Sequence, residues 1–333
     1  MNRIIIYISG VLIIGIVLVL FVFSSGKNKK SDQDYRKAFS RHYKIFNVGM
    51  PENVNFCNED APLDLYYVRE SLDRELTVNT YWHSSTLLLF KRAYRWFPVI
   101  EPILKENGVP DDFKYLALIE SNLTNVVSPA GAAGFWQFLK STGKTYDLEI
   151  NKMIDERYNL EKATIAACKY INEAHEIYHN WTLAAASFNA GKDRITNALE
   201  DQKITNYYDL YLNPETSRYI YRILALKEIH NKPSAYGFYL REKDLYPSIP
   251  YYEVDVDTTV TNLVGFANKM DINYKILKEF NPWLRGDNLP NSTEKKYKIK
   301  IPKKGYLKYD QLSRQIKQKH LIYKDTIRID EIR

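Results

Sequence analysis

Glu120-Ser121-Asn122-Leu123-Thr124-Asn125-Val126-Val127-Ser128-Pro129-Ala130-Gly131-Ala132-Ala133-Gly134-Phe135-Trp136-Gln137 sets one carboxylate where an apolar helix gives way to a loop of small residues. The residues before it, Phe113-Lys114-Tyr115-Leu116-Ala117-Leu118-Ile119, carry bulky apolar groups on most sides, so that helix is expected to be buried rather than amphipathic. Glu120 then emerges from dry surroundings. A carboxyl so placed resists ionisation and can stay protonated near neutral pH, as a general acid must. Asp111 or Asp112, following Pro110, is expected to cap the helix. Ser128-Pro129 with Gly131 and Gly134 reads as a turn whose backbone can approach a ligand closely, because glycine enters conformations closed to other residues.

Outward from this stretch, helical patterning dominates. Helices are expected at residues 65–72, 84–97 and 99–105, with a break at Asn107-Gly108, and then at 134–142, 160–178, 182–189, 192–199 and 216–231. Short connections between them imply a compact, mainly α domain over residues 61–245. Lys232-Pro233 and Tyr246-Pro247-Ser248-Ile249-Pro250 are proline-marked breaks that bound a linker. Beyond them, residues 251–260 alternate as a strand, 263–269 and 274–280 read as short helices, and 297–301 as a closing strand. Residues 246–305 are therefore expected to form a small α/β module, and 306–333 a charged tail, helical or loosely ordered. No internal repeat is evident.

At 333 residues with 45% hydrophobic and 14% aromatic content, the chain can bury real cores and is not a disordered tail. The net charge of +7 is compatible with solubility alone, with anionic lipid or with an acidic polymer. Nothing resembles a basic recognition helix or a zinc-finger spacing, so nucleic acid is not expected as a partner. Residues 4–23 form an uncharged apolar run of about the ~20 residues that cross a bilayer. Residues 1–26 thus read as an N-terminal transmembrane helix, in preference to a cleaved signal, since Phe21-Val22-Phe23-Ser24-Ser25-Gly26 is a poor cleavage site. Residues 27–60 read as a juxtamembrane linker. Lys27, Lys29 and Lys30 after the run would, by the positive-inside rule alone, hold the body in the cytoplasm. The two cysteines, Cys57 and Cys168, make no disulfide framework; a single bridge is open to them in an oxidising compartment, and a buried free thiol is the default for Cys168. Neither has neighbours suited to a metal, and no cofactor is indicated.

Most glycosidases use two carboxylates, ~5–5.5 Å or ~6.5–9.5 Å apart. Asp111 and Asp112 precede Glu120 by nine and eight residues, which at 1.5 Å per residue puts their backbones about 12 Å away along a helix. A chemistry with a single protein carboxylate is therefore the more natural one. Asp155-Glu156-Arg157 reads as architecture, with Asp155 capping and Arg157 pairing with a carboxylate. Trp136 and Trp181 are core or cleft-wall residues.

Together with Ala186-Ser187-Phe188-Asn189-Ala190-Gly191 and Pro214-Glu215-Thr216-Ser217-Arg218-Tyr219, the opening stretch resembles the soluble lytic transglycosylase catalytic family, over residues 61–231. That resemblance implies a lysozyme-like helical domain acting on peptidoglycan glycan strands. The bond cut would be the β-1,4 link between N-acetylmuramic acid and N-acetylglucosamine, leaving a 1,6-anhydro end. Glu120 would be the catalytic acid, then base, with Ser121, Ser128, Gln137, Asn189 and Tyr219 as substrate contacts and no metal. The family commonly has tyrosine where this chain has Phe188, and one more residue between the acid and Ser128. Leu277-Lys278-Glu279-Phe280-Asn281-Pro282 resembles a divergent LysM-like module, either glycan-binding or a structural cap. The resemblance also places the body outside the inner membrane, anchored in the periplasm, or secreted if the leader is cleaved. A hydrolytic muramidase and a non-catalytic peptidoglycan-binding protein are the alternatives. No protein partner is indicated.

Overall fold

The computed structural model describes residues 33–34, 36–37 and 45–316. The chain divides into two units, Met1–Asn47 and Val48–Arg333. In the first, residues 33–34 and 36–37 are helical, and the apolar run 4–23 lies outside the described residues. Among those described, no helix is long and apolar enough to cross a membrane.

The second unit opens with a hairpin of β1 (Asn55–Phe56) and β2 (Glu59–Asp60), turned by Cys57 and Asn58, both at positive φ (54° and 66°) as a tight two-residue turn requires. Helices follow: α1 (Tyr66–Tyr81), α2 (His83–Glu106), α3 (Lys114–Ser121), α4 (Lys140–Thr145), α5 (Leu160–Tyr178), α6 (Trp181–Ala190), α7 (Lys192–Gln202) and α8 (Pro214–Asn231). Asparagine starts several of them. Asn159, Asn180 and Asn213 each accept from backbone N–H groups of the first turn, and Pro214 takes the first helical position of α8, where its missing N–H costs nothing. Helix α6 is the axis of this body. Its Leu183, Ala184, Ala185 and Ala186 are buried, and the small size of the three alanines lets α5, α7 and α8 pack closely around it.

The expected linker at residues 27–60 ends before residue 48. Val48, Val54 and Phe56 are buried in the helical core, and Phe56 meets the Phe113 ring at 5.0 Å. Glu59 then accepts from Trp181 N (2.6 Å) and Thr182 N (2.8 Å), setting a carboxylate on the positive end of α6. The helices expected at 84–97 and 99–105 are one helix, α2, because Pro98 and Pro102 lie on its exposed side, where the lost backbone bonds can be replaced by water. The helix expected at 134–142 begins only at Lys140. Residues 133–138 form a bridged loop instead, since Gly134 and Gln137 take positive φ (80° and 49°). Asp111 and Asp112 do not cap α3 through their side chains. Asp112 accepts from Cys57 N (2.7 Å) and Lys227 Nζ (2.6 Å), and Asp111 pairs with Lys114. Cys57 and Cys168 are free thiols.

Residues 232–250, expected as a linker, are packed: Tyr236, Phe238 and Leu245 belong to the helical core. Then come β3 (Tyr251–Val256), α9 (Leu263–Lys269), α10 (Tyr274–Phe280) and β4 (Tyr297–Pro302), with β3 and β4 antiparallel in a register running from Tyr251↔Pro302 to Val256↔Tyr297. Their core of Leu263, Leu277, Leu289, Ile299 and Trp283 also takes in Ala133, Ile154 and Tyr158 of the helical body. Asp155 N donates to Trp283 O (2.9 Å) and Arg285 N to Met153 O (2.8 Å), and Lys295 pairs with Glu149 (2.6 Å). Helix α11 (Tyr309–Ile316) follows, and the rest of the expected tail lies outside the described residues.

Phe56→Ala is expected to cost about 3–5 kcal/mol in a denaturant titration, as for a large aromatic removed from a packed core; a residue in a free linker would cost almost nothing.

Candidate active site

Helix α3 buries Tyr115 through Ile119, as its composition requires, and stops because Asn122 and Leu123 both enter the left-handed region (φ 52° and 53°). Leu123 is a buried non-glycine residue held there, a strained conformation that the surrounding core enforces. Glu120 is thereby fixed in the last turn of α3.

Its partner arrives from α8. Tyr219, only 1% exposed, donates its hydroxyl to Glu120 Oε1 at 2.6 Å. Burial and the nearby carboxylate push the Tyr219 phenol well above its usual range, so it remains a donor. Glu120 itself is held above the ordinary carboxylate range by burial, against the pull of the Tyr219 hydrogen bond and the Arg222 charge, and with a further push from Glu215. With Oε1 accepting from Tyr219, the acid proton belongs on Oε2. Arg222, one turn beyond Tyr219, donates to Ile119 O (3.0 Å) and so clamps α8 to the end of α3.

The loop from 126 to 138 is closed by its own polar groups. Ser128 N donates to Ala132 O (2.8 Å), and Ser128 Oγ accepts from Ala132 N (3.1 Å), leaving the hydroxyl proton for another acceptor. Gln137 Nε2 donates to Val126 O (3.0 Å) and Gly134 O (2.7 Å), so Oε1 is the part of the amide left to meet a ligand. Arg157 holds the loop from behind. It pairs with Asp155 through Nε (2.9 Å) and Nη2 (2.7 Å), while Nη1 reaches Gly131 O (2.9 Å) and Phe138 O (3.1 Å). The expected ion pair is present, while Asp155 accepts from Arg157 N and so caps the short 3-10 turn Glu156–Tyr158, the start of α5 being capped by Asn159.

Ser121 departs from its expected place as a substrate contact. It is buried, with Oγ 2.9 Å from Phe135 O and 3.1 Å from Ala117 O, and its single proton serves those carbonyls. It ties α3 to the loop instead of lining the cleft. Asn189, at the end of α6, accepts from Thr216 Oγ1 (3.0 Å) and lies 3.5 Å from Glu215 Oε1, which brings it to the same end of α8 as Tyr219. Phe188 is walled by Tyr170 (5.2 Å), Phe138 (5.6 Å) and Trp136 (6.0 Å). Trp136 is fully buried with its indole N–H on Thr164 Oγ1 (2.9 Å), and Trp181 stacks on His175, so both serve packing. Glu215 and Arg222 act on Glu120 without having been singled out for it. The three-residue step from Tyr219 to Arg222 on one helix face was the available signal. Among the described residues, no group of His, Cys, Asp and Glu is arranged to hold a metal ion.

A carboxylic acid raised by burial and hydrogen-bonded by a buried tyrosine on a helical body is suited to hold and release a proton, the chemistry of a general acid. Sequence comparison carries the assignment further: residues 97–211 match the Transglycosylase SLT domain, and residues 252–305 match the Soluble lytic transglycosylase C-terminal LysM-like domain. Both models describe domains of the lytic transglycosylase type, and the chain is similar to each over those residues. It is similar to the membrane-bound lytic murein transglycosylase D of Escherichia coli (strain K12), 27% identical over 263 residues, 77% of this chain and 54% of that protein. The protein of the same name from Escherichia coli O6:H1 matches to the same extent. The chain spans about half the length of the curated relatives it matches.

Two expectations follow for this site. Tyr219→Phe removes a hydrogen bond that favours the Glu120 carboxylate, so the alkaline limb of the pH–rate profile shifts to higher pH, with a fall in rate of about tenfold or more for a charged hydrogen bond worth about 1.5–3 kcal/mol. Gly134→Ala would put a Cβ 1.9 Å from Arg157 O at φ +80°, and a loss of about 2–4 kcal/mol in thermal unfolding is expected.

Proposed function

We propose that this protein is a peptidoglycan lytic transglycosylase, cutting the β-1,4 bond between N-acetylmuramic acid and N-acetylglucosamine with formation of a 1,6-anhydro end. The observation that carries the reading is Glu120, raised by burial and hydrogen-bonded by Tyr219 at 2.6 Å. Glu120 gives its proton to the glycosidic oxygen as the bond to C1 breaks. The muramic acid C6 hydroxyl then closes on C1, and the Glu120 carboxylate takes that hydroxyl's proton, restoring the acid without consuming water. Because the nucleophile belongs to the substrate, the reaction is intramolecular and needs no second carboxylate to activate water. Ser128, Gln137 and Asn189 offer a hydroxyl and amides to the sugar's N-acetyl and hydroxyl groups, with Tyr219 orienting the acid. The names of the relatives support murein as substrate and a bacterial envelope as location. Residues 4–23 would anchor the chain in the inner membrane with the catalytic body on the periplasmic side.

A hydrolytic outcome has one observation in its favour. The Glu215 charge reaches Glu120, so a second carboxylate stands at the same end of α8. The products separate the two reactions. Mass spectrometry of murein sacculi digested by the wild-type protein is expected to show anhydromuropeptides, and none with Glu120→Gln. Reducing ends would make the protein a muramidase, and binding to sacculi without any product would make it a wall-binding protein.

A further inference from the structure

Between the helical body and the α/β module lies a cavity of about 390 Å³, within the ~300–1,000 Å³ typical of small-ligand sites. None of Glu120, Ser128, Gln137, Asn189 or Tyr219 lines it. It meets the catalytic loop through Leu123, Thr124, Asn125 and Phe135, and its other walls are aromatic: Trp96 and Tyr246 from the body, Tyr251, Phe280 and Trp283 from the module.

The charges in this cavity do not balance. Its two carboxylates already have partners, Glu161 in Lys300 and Glu279 in Lys275 (3.6 Å). Its two guanidinium groups, Arg92 and Arg95, lie one turn apart on α2 and pair with no carboxylate among the described residues. Arg92 donates to Asn122 O (3.1 Å). Arg95 donates through Nε to Pro247 O (3.1 Å) and lies 5.3 Å from the Tyr246 ring centre, and neither of its Nη groups bonds to the described protein. Burial draws the Arg95 pKa below its usual range, the mark of a cation that has lost water without gaining a counter-charge. A guanidinium fork matches a carboxylate through two parallel hydrogen bonds, and burying such a charge is costly until an anion completes it.

We propose that this cavity binds the carboxylate end of a short peptide, the stem peptide of the glycan strand on which the neighbouring site acts. The choice of peptide rests on the peptidoglycan reading; the choice of a carboxylate rests on the arginines alone. The aromatic walls suit small apolar side chains beside the anion, and a neutral sugar could accept hydrogen bonds here but would leave both guanidinium charges without a counter-charge. Occupancy would also bear on catalysis, since Phe135 lines the cavity and its carbonyl receives the Ser121 hydroxyl at the end of the Glu120 helix.

Calorimetric titration of the wild-type chain with the free tetrapeptide ending in D-alanine, and with its C-terminal amide, tests the site without any variant. The acid is expected to bind at least tenfold more tightly than the amide. Arg95→Gln should bring the acid down to the amide's level, Arg95→Lys should recover part of the difference, and Arg92→Gln supplies an independent lesion if Arg95→Gln does not fold. Turnover gives the second reading. Arg95→Gln is expected to raise KM severalfold on peptide-bearing murein and to leave peptide-free glycan strands unaffected. Equal affinity for acid and amide, tighter binding of inorganic phosphate than of the peptide, or equal loss on both substrates would overturn the proposal. If the wild type yields no anhydro product from either substrate, it is the catalytic reading that fails, while the preference for acid over amide still reports on the cavity.

Discussion

The pair formed by Asp155 and Arg157 is the constraint on which the rest of the molecule leans. Its guanidinium reaches Gly131 O and Phe138 O and so fixes the middle and the end of the 126–138 loop. Its own carbonyl presses against Gly134, where a side chain would not fit. Two residues before Arg157, Asp155 N is bonded to Trp283 O of the α/β module. Loop, helix start and module therefore meet within three residues. A buried ion pair is weak evidence for stability in itself, because desolvation offsets much of the attraction. Here the guanidinium serves geometry: Nε and Nη2 are held by Asp155, which aims Nη1 at the Gly131 and Phe138 carbonyls of the loop.

The acid is governed by a balance of opposed influences. Burial raises Glu120, Tyr219 and Arg222 lower it, and Glu215 raises it again. No single neighbour sets the outcome. A carboxyl in an apolar pocket with no relief would be hard to ionise for the second half of the proposed reaction, and one beside a full ion pair would be hard to protonate for the first. The hydroxyl of Tyr219, neutral and kept so by its own burial, supports the charged form without adding a charge. Phe188 adds nothing polar, and its ring only closes the wall with Trp136, Phe138 and Tyr170.

What the sequence made legible follows the range of the forces involved. The burial of Glu120 could be read from Tyr115-Leu116-Ala117-Leu118-Ile119, because five apolar neighbours on one helix leave no wet face. Helices α5 to α8 and the order strand, helix, helix, strand in the module were legible for the same reason, as periodicity and breakers act locally. Gly134-Phe135-Trp136-Gln137-Phe138 misled because its composition suits a helix while Arg157, twenty residues away, demands a loop. Phe56 was hidden among polar neighbours, and its contact with Phe113, with the burial of Val48 and Val54 and the bonds of Glu59 to α6, shows that residues 48–60 belong to the body. The hydrogen bond from Tyr219 to Glu120 joins residues 99 apart, a pairing that no spacing rule contains. Ser121 stood next to the acid in sequence, yet the helical turn aims it inward.

The core of the α/β module includes Ala133, Ile154 and Tyr158, which the helical body supplies. A recombination event that moved residues 251–302 to another protein would leave that core short of one side and strip Ile154 and Tyr158 of their cover. The module is thus not a portable cassette. Trp283, Leu284 and Arg285 hold the backbone at Met153, Ile154 and Asp155, so a change on either side of that seam is felt on the other.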